Sequence, residues 1–173
     1  MKFTCNKEVL LKEVSIAQEI IASKNAILIL SNIYLEAKNN KLIIKAKDMK
    51  VNFQTEVPVN VIEEGSTTVY GDKFFGIISS FPYDELEFNL KDSIVIIKPT
   101  TLKKPEYKLK VIASENYPEF SVSSAPFFEI PIKDFREMIQ QSVFAVSDDE
   151  TRFFMNGTYF EKAEDQICMV ATD

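Results

Sequence analysis

A chain of 173 residues, 46% hydrophobic and 27% charged with 14 Phe, has room for one ordinary domain plus part of another and is too apolar to be disordered. Its net charge of −6 excludes a uniformly basic nucleic-acid binder, although an acidic outer surface can coexist with cations gathered on one inner face. The absence of His rules out Ser–His and Cys–His nucleophile pairs and imidazole metal ligands, and the four Gly form neither a phosphate loop nor a dinucleotide fingerprint.

In chain order, a short strand at Phe3-Thr4-Cys5 runs into a predicted helix over Lys7–Ala22, whose Leu10, Val14, Ala17 and Ile21 form one apolar stripe behind an Asn6 cap. Strands follow at Asn32–Ala37, Lys41–Lys47 and Val51–Val57, with a turn at Asn39-Asn40 and a stop at Pro58. A second strand, Thr67–Tyr70, runs into a helix over Asp72–Phe81 carrying Phe74, Ile77, Ile78 and Phe81 on one face. Strands Leu86–Leu90, Ile94–Lys98 and Tyr107–Ile112 complete that unit, and Lys108 and Lys110 alternate with Tyr107, Leu109 and Val111 as on an edge strand. After a linker over Asn116–Pro126, a third strand at Phe128-Glu129-Ile130 precedes a helix over Lys133–Phe144 with Phe135, Met138, Ile139 and Val143 on its apolar face. The acidic loop Ser147–Glu150, the segment Thr151–Phe154 and two strands flanking Glu164-Asp165 close the chain.

One strand–helix–strands unit therefore recurs at intervals of roughly 65 residues, the mark of a tiling architecture. The expected fold is α+β, with helices on one side of antiparallel sheets. The expected organisation is a first domain over 1–125, made of units 1–62 and 63–125, and a truncated second domain over 126–173. By this reading the chain is a fragment.

Little in it supports catalysis. Asp148, Asp149 and Glu150 run together in one loop, which is ordinarily solvated charge, and no carboxylate pair is set across a cleft. Cys5 and Cys168 are isolated thiols in strand-like segments and read as small hydrophobes. No cofactor and no metal is expected. The longest uninterrupted apolar run, Ala26–Leu30, is far short of a membrane span, so a cytoplasmic protein is expected. Lys12, Lys73 and Arg136 lie on the three helices, with Lys24 just beyond the first. As one set they could meet phosphates by sequence-independent attraction, diluted by Glu13, Asp72 and Glu137.

Several segments resemble one family. Met1-Lys2-Phe3-Thr4 with the Leu10-Leu11 helix, Leu30-Ser31-Asn32, Lys73-Phe74-Phe75 and Asn116-Tyr117-Pro118-Glu119-Phe120 are similar to the beta subunit of bacterial DNA polymerase III, the sliding clamp. The most specific match is Arg152-Phe153-Phe154-Met155-Asn156-Gly157 followed by Val170-Ala171-Thr172-Asp173. The resemblance covers the whole chain in order.

It implies the DNA-clamp fold, a ring of two subunits joined head to tail, helices lining the hole and double-stranded DNA passing through without base readout. It implies a non-enzymatic processivity factor of DNA replication in the polymerase III holoenzyme, in the bacterial cytoplasm at the nucleoid. Its partners would be the polymerase alpha subunit, the clamp loader and repair proteins, each binding through a short linear motif. By position, the resemblance assigns Lys24, Lys73 and Arg136 to DNA-facing places, with Lys12 a weaker member, and puts Arg152, Phe153 and Phe154 in a loop that can approach DNA. Met155 and Thr172 fall in the partner-peptide pocket. Tyr107 and Leu109 fall on the edge that meets the other subunit of the homodimer. The rival reading is an α+β protein-interaction scaffold with no nucleic-acid role.

Overall fold

The stripe of Leu10, Val14, Ala17 and Ile21 is buried along α1 (Lys7–Ile21), and Phe74 and Ile78 are buried along α2 (Gly71–Ser80). The computed structural model describes residues 1–21, 28–101, 105–119, 128–164 and 166–173. Lys24 lies outside the described residues. The chain divides into two compact units, Met1–Ser121 and Val122–Asp173.

In the first unit, β1 (Lys2–Asn6) leads into α1. A 3₁₀ turn, Leu28–Ser31, then precedes β2 (Asn32–Lys38), β3 (Lys41–Lys47), β4 (Asn52–Pro58) and β5 (Asn60–Glu63). The scheme repeats as β6 (Gly65–Tyr70), α2, β7 (Glu85–Lys91), β8 (Ile94–Pro99) and β9 (Tyr107–Ile112). The sheet is antiparallel throughout, in the order β4-β3-β2-β6-β9-β8-β7-β1-β5. Each repeat lends its first strand to the other: β1 pairs with β7 as β6 pairs with β2. The hairpins match as well, and both turns use the left-handed region, at Asn39 (φ 51°) and Asn40 (φ 56°) in one and at Asp92 (φ 53°) in the other. Such φ values cost Asn and Asp less than other side chains.

The last strand of each repeat bridges two neighbours. β9 pairs with β8 and then with β6, and the β4–β5 segment, interrupted only at Val59, pairs with β3 and then with β1. Pro58 therefore does not end the strand region, contrary to the sequence expectation. It stands opposite Lys41 at the outer end of β4, where a missing N–H is tolerated, and β5 follows directly.

Both helices pack against this sheet and against each other, α1 on β1–β4 and α2 on β6 and β9. They run antiparallel. Lys7, at the start of α1, donates from Nζ to Phe81 O at the end of α2 (2.8 Å), placing a cation at that helix's negative end. At the opposite end Gln18 donates from Nε2 to Asp72. Phe74 and Phe81 are both fully inside, as the repeat reading requires. Burial in this core, with Glu85 as a lesser cause, pushes the Cys5 thiol up to about 12, so it stays protonated and unreactive.

The helices touch where α2 begins. A Cβ on Gly71 would collide with the Ile21 side chain and stand 2.7 Å from Gln18 Oε1. Ile21 is itself buried and has little room to withdraw. Gly71→Ala should therefore destabilise the first unit by about 1–3 kcal/mol, the cost of overpacking. Thermal unfolding reads this directly, and an unshifted Tm would mean that the end of α1 yields freely.

The second unit holds α3 (Ile132–Ser142), 3₁₀ turns at Val143–Ala145 and Glu150–Met155, and the ribbon β10 (Tyr159–Lys162) with β11 (Ile167–Val170). Phe135, Met138 and Ile139 are half-buried as the helical spacing requires, but Val143 is exposed, because the helix ends before it and the 3₁₀ turn changes its phase. The expected strand at Phe128–Ile130 does not form. In the first unit each opening strand is held by a strand of the other repeat, and the second unit offers no such partner among the described residues. Phe128 instead stacks on Phe160 (5.9 Å between ring centres), which also meets Phe135 edge-on (6.2 Å).

Candidate partner groove and charged faces

The Ser147–Asn156 loop is tied shut by its own backbone: Ser147 N donates to Met155 O (3.0 Å), Arg152 N to Asp149 O (3.0 Å) and Asn156 N to Phe153 O (3.3 Å). Asp149 caps the 3₁₀ turn, accepting from the Thr151 hydroxyl (2.6 Å) and amide (2.9 Å), while its other oxygen accepts from Arg152 Nε (3.1 Å). These bonds, led by the Thr151 hydroxyl, hold the Asp149 carboxyl below the usual carboxylate range. The chain kinks at Arg152 (φ −108°, ψ 52°). The kink turns Phe153 and Phe154 outward, 79% and 71% exposed, with their rings edge to face at 5.8 Å.

This loop forms one wall of a groove of about 560 Å³, and Val170, Ala171 and Thr172 form another. Met155 and Thr172, distant in sequence, line the same groove. Phe153, Phe154, Thr158 and Tyr159 also line it. None of these four was assigned to a pocket from the sequence, where Phe153 and Phe154 were expected in a loop approaching DNA, because their place depends on how the loop closes. Arg152 is not a bare cation: besides Asp149, its Nη1 approaches Met155 Sδ (3.8 Å).

In the first unit, a groove of about 570 Å³ runs between α2 and β9. Tyr107 and Leu109 line it together with Ile77, Lys108 and Lys110. The Tyr107 ring rests edge-on against Phe81 (5.1 Å). β9 pairs with β8 from Tyr107 to Lys110 but with β6 only at Val111 and Ile112, so the other edge of Tyr107–Lys110 carries no strand among the described residues. Lys73, expected at DNA, also lines this groove, which puts its cation beside the strand edge that Tyr107 and Leu109 mark.

Lys12 is exposed on α1 and Arg136 on α3, and no ion pair ties either among the described residues. Glu8, Ile16 and Glu19 share the outer face of α1 with Lys12. Among the described residues no cluster of three His, Cys, Asp or Glu side chains could hold a metal ion, and no helix is long and apolar enough to cross a membrane.

The N-terminal domain of the DNA polymerase III beta subunit matches residues 1–121, and the central domain of the same subunit matches residues 129–173. The chain belongs to the DNA polymerase III beta subunit family. The beta sliding clamp of Treponema pallidum is 41% identical over 174 residues, covering all of this chain and 47% of that protein. The beta subunit structure from Streptococcus pyogenes superposes with a TM-score of 0.90 at 23% identity, covering all of this chain and 47% of that one, which is a likeness of fold. The Caulobacter crescentus beta sliding clamp, described with polyethylene glycol bound to a beta-motif tethering region, superposes at 0.87 with 25% identity, again over all of this chain and 47% of that one. The chain spans about half the length of the curated relatives it matches.

Proposed function

We propose that this chain supplies the first domain and part of the second of a sliding clamp, the ring that tethers the replicative polymerase to duplex DNA. The observation that carries the reading is the succession of the two clamp domain matches, in order, along nearly the whole chain. The protein performs no chemistry in this role. It raises the effective concentration of polymerase at the primer end by holding it on the template. Lys12, Arg136 and Lys24 are the candidates for phosphate contact, loose and blind to sequence. The groove along β9, with Tyr107, Leu109 and Lys73, is the edge on which a second subunit docks. The groove containing Met155 and Thr172 receives a short linear peptide from the polymerase alpha subunit, the clamp loader or repair proteins. The rival, a scaffold with no nucleic-acid role, is not favoured, since both matched domains belong to a DNA polymerase subunit.

The peptide reading is tested with a full-length clamp that carries this chain. Met155→Ala removes part of the groove wall and should weaken binding of a labelled alpha-subunit peptide by about 1–2 kcal/mol, roughly five- to thirtyfold in Kd. Fluorescence anisotropy measures it. An unchanged Kd would remove Met155, and the groove with it, from partner binding.

A further inference from the structure

We infer that Asn156 is a positioning residue of the groove: its side-chain amide locks the 147–156 loop, so the Phe154–Met155 wall is formed before any partner arrives. The inference rests on the peptide reading of the groove. With its amide oriented by its surroundings, the Asn156 nitrogen faces three backbone carbonyls: Asp149 O (3.0 Å), Ser147 O (3.0 Å) and Arg152 O (3.1 Å). An amide carries two N–H donors, so these bonds take its whole donor capacity, one of them shared.

Two of the three carbonyls lie at the places where the loop would otherwise open. Ser147 is its entry, joined to Met155 O by a backbone bond of 3.0 Å, and Arg152 is the kink that turns the aromatic pair outward. Asp149, between them, already accepts Arg152 N through the same carbonyl. One side chain thus gathers entry, cap and kink at a single point. Without it, the loop keeps its backbone bonds and the Asp149–Thr151 cap, and the side-chain tie from Asp149 to the kink is an ion pair in which Arg152 is 46% and Asp149 42% exposed. An ion pair that open to water contributes little. Asn156 is exposed as well, but its amide joins three backbone carbonyls where the ion pair joins two side chains, and the experiment measures how unequal their contributions are. A wall fixed in advance spares the partner peptide the entropic cost of ordering it.

The test uses the full-length clamp carrying this chain and a fluorescein-labelled alpha-subunit peptide. Asn156→Ala should raise the peptide Kd about tenfold, with the Tm unchanged, through lost preorganisation. Exchange of the Ser147 amide should accelerate at least about tenfold, while the β10–β11 amides keep their protection. Asp149→Asn, which retains a capping oxygen but gives up the ion pair, should raise Kd less than about threefold. Equal losses in the Asn156 and Asp149 variants would overturn the inference in favour of an electrostatic lock. Unchanged Ser147 exchange in Asn156→Ala would overturn it outright. Met155→Ala separates this inference from the reading beneath it: if that variant binds normally the groove is not the peptide site, whereas normal binding by Asn156→Ala alone rejects only the amide lock.

Discussion

Phe88→Ala should cost the first unit about 3–5 kcal/mol, the largest stability loss expected from a single substitution here. Phe88 is 1% exposed and lies opposite Phe3 across the β1–β7 pairing. The two rings stack at 4.7 Å and 7° between planes, and Phe74 meets Phe88 edge-on at 6.1 Å. Truncation removes both aromatic contacts and leaves a cavity between a sheet and a helix, neither of which can close over it without disturbing the strand pairing between the repeats. Urea unfolding followed by circular dichroism measures the loss. Phe153→Ala is the control: its ring is 79% exposed, so its effect should stay within about 0.5 kcal/mol. Comparable losses in the two variants would mean that the first unit's core is not the one described.

Reversing the exposed cations should have the largest effect on DNA contact. In a full-length clamp carrying this chain, Lys12→Glu and Arg136→Glu should each lower the slope of log affinity against log salt by about 0.9, the signature of one lost phosphate contact. The loss should be alike on unrelated duplex sequences, because a phosphate contact carries no base information. Lys73→Glu should behave differently. Its cation lies in the groove with Tyr107 and Leu109, so the change should promote subunit dissociation, read by analytical ultracentrifugation, and leave the salt slope alone. A marked sequence preference in the Lys12 or Arg136 losses would contradict a sliding role. A slope change at Lys73 with intact subunit association would instead support its expected place among the DNA-facing residues.

Much of the first unit was legible because its signals are periodic. Leu10, Val14, Ala17 and Ile21 mark one helical face, and Phe74 and Ile78 mark another, with no help from the rest of the chain. The strand pairs Lys41–Lys47 with Asn52–Pro58 and Glu85–Lys91 with Ile94–Pro99 follow from alternation and turn residues. β5 was missed because Pro58 is a strong local stop signal, and only the edge position of β4 makes it harmless. The segment Phe128–Ile130 looked like a strand because its apolar pattern matches those of β1 and β6, but a strand is a property of two segments, and its partner is lacking among the described residues.

The candidate sites were legible in a different measure. Met155 and Thr172 were assigned from resemblance, and the fold brings them to one groove through the loop and the β11 end. Nothing periodic marks Asn156 or Asp149. Their importance lies in hydrogen bonds to carbonyls and to an Arg three residues away, which a one-dimensional pattern does not carry. Lys108 and Lys110 read as edge-strand lysines; β9 lies inside the sheet, but among the described residues no strand covers the β6-side edge of Tyr107–Lys110. That α2 and Lys73 would stand beside it required the helix packing.

As part of a clamp, these residues would belong to a ring that holds DNA by enclosing it. The most direct measurement of this is retention of a full-length clamp carrying this chain on nicked circular DNA, after clamp-loader assembly, followed by gel filtration before and after the circle is linearised. The clamp should stay with the circle at salt concentrations that abolish simple ionic binding and be lost once the DNA has ends, because topology and not affinity retains it. Equal retention on circular and linear DNA, or release from both at the same salt, would contradict enclosure.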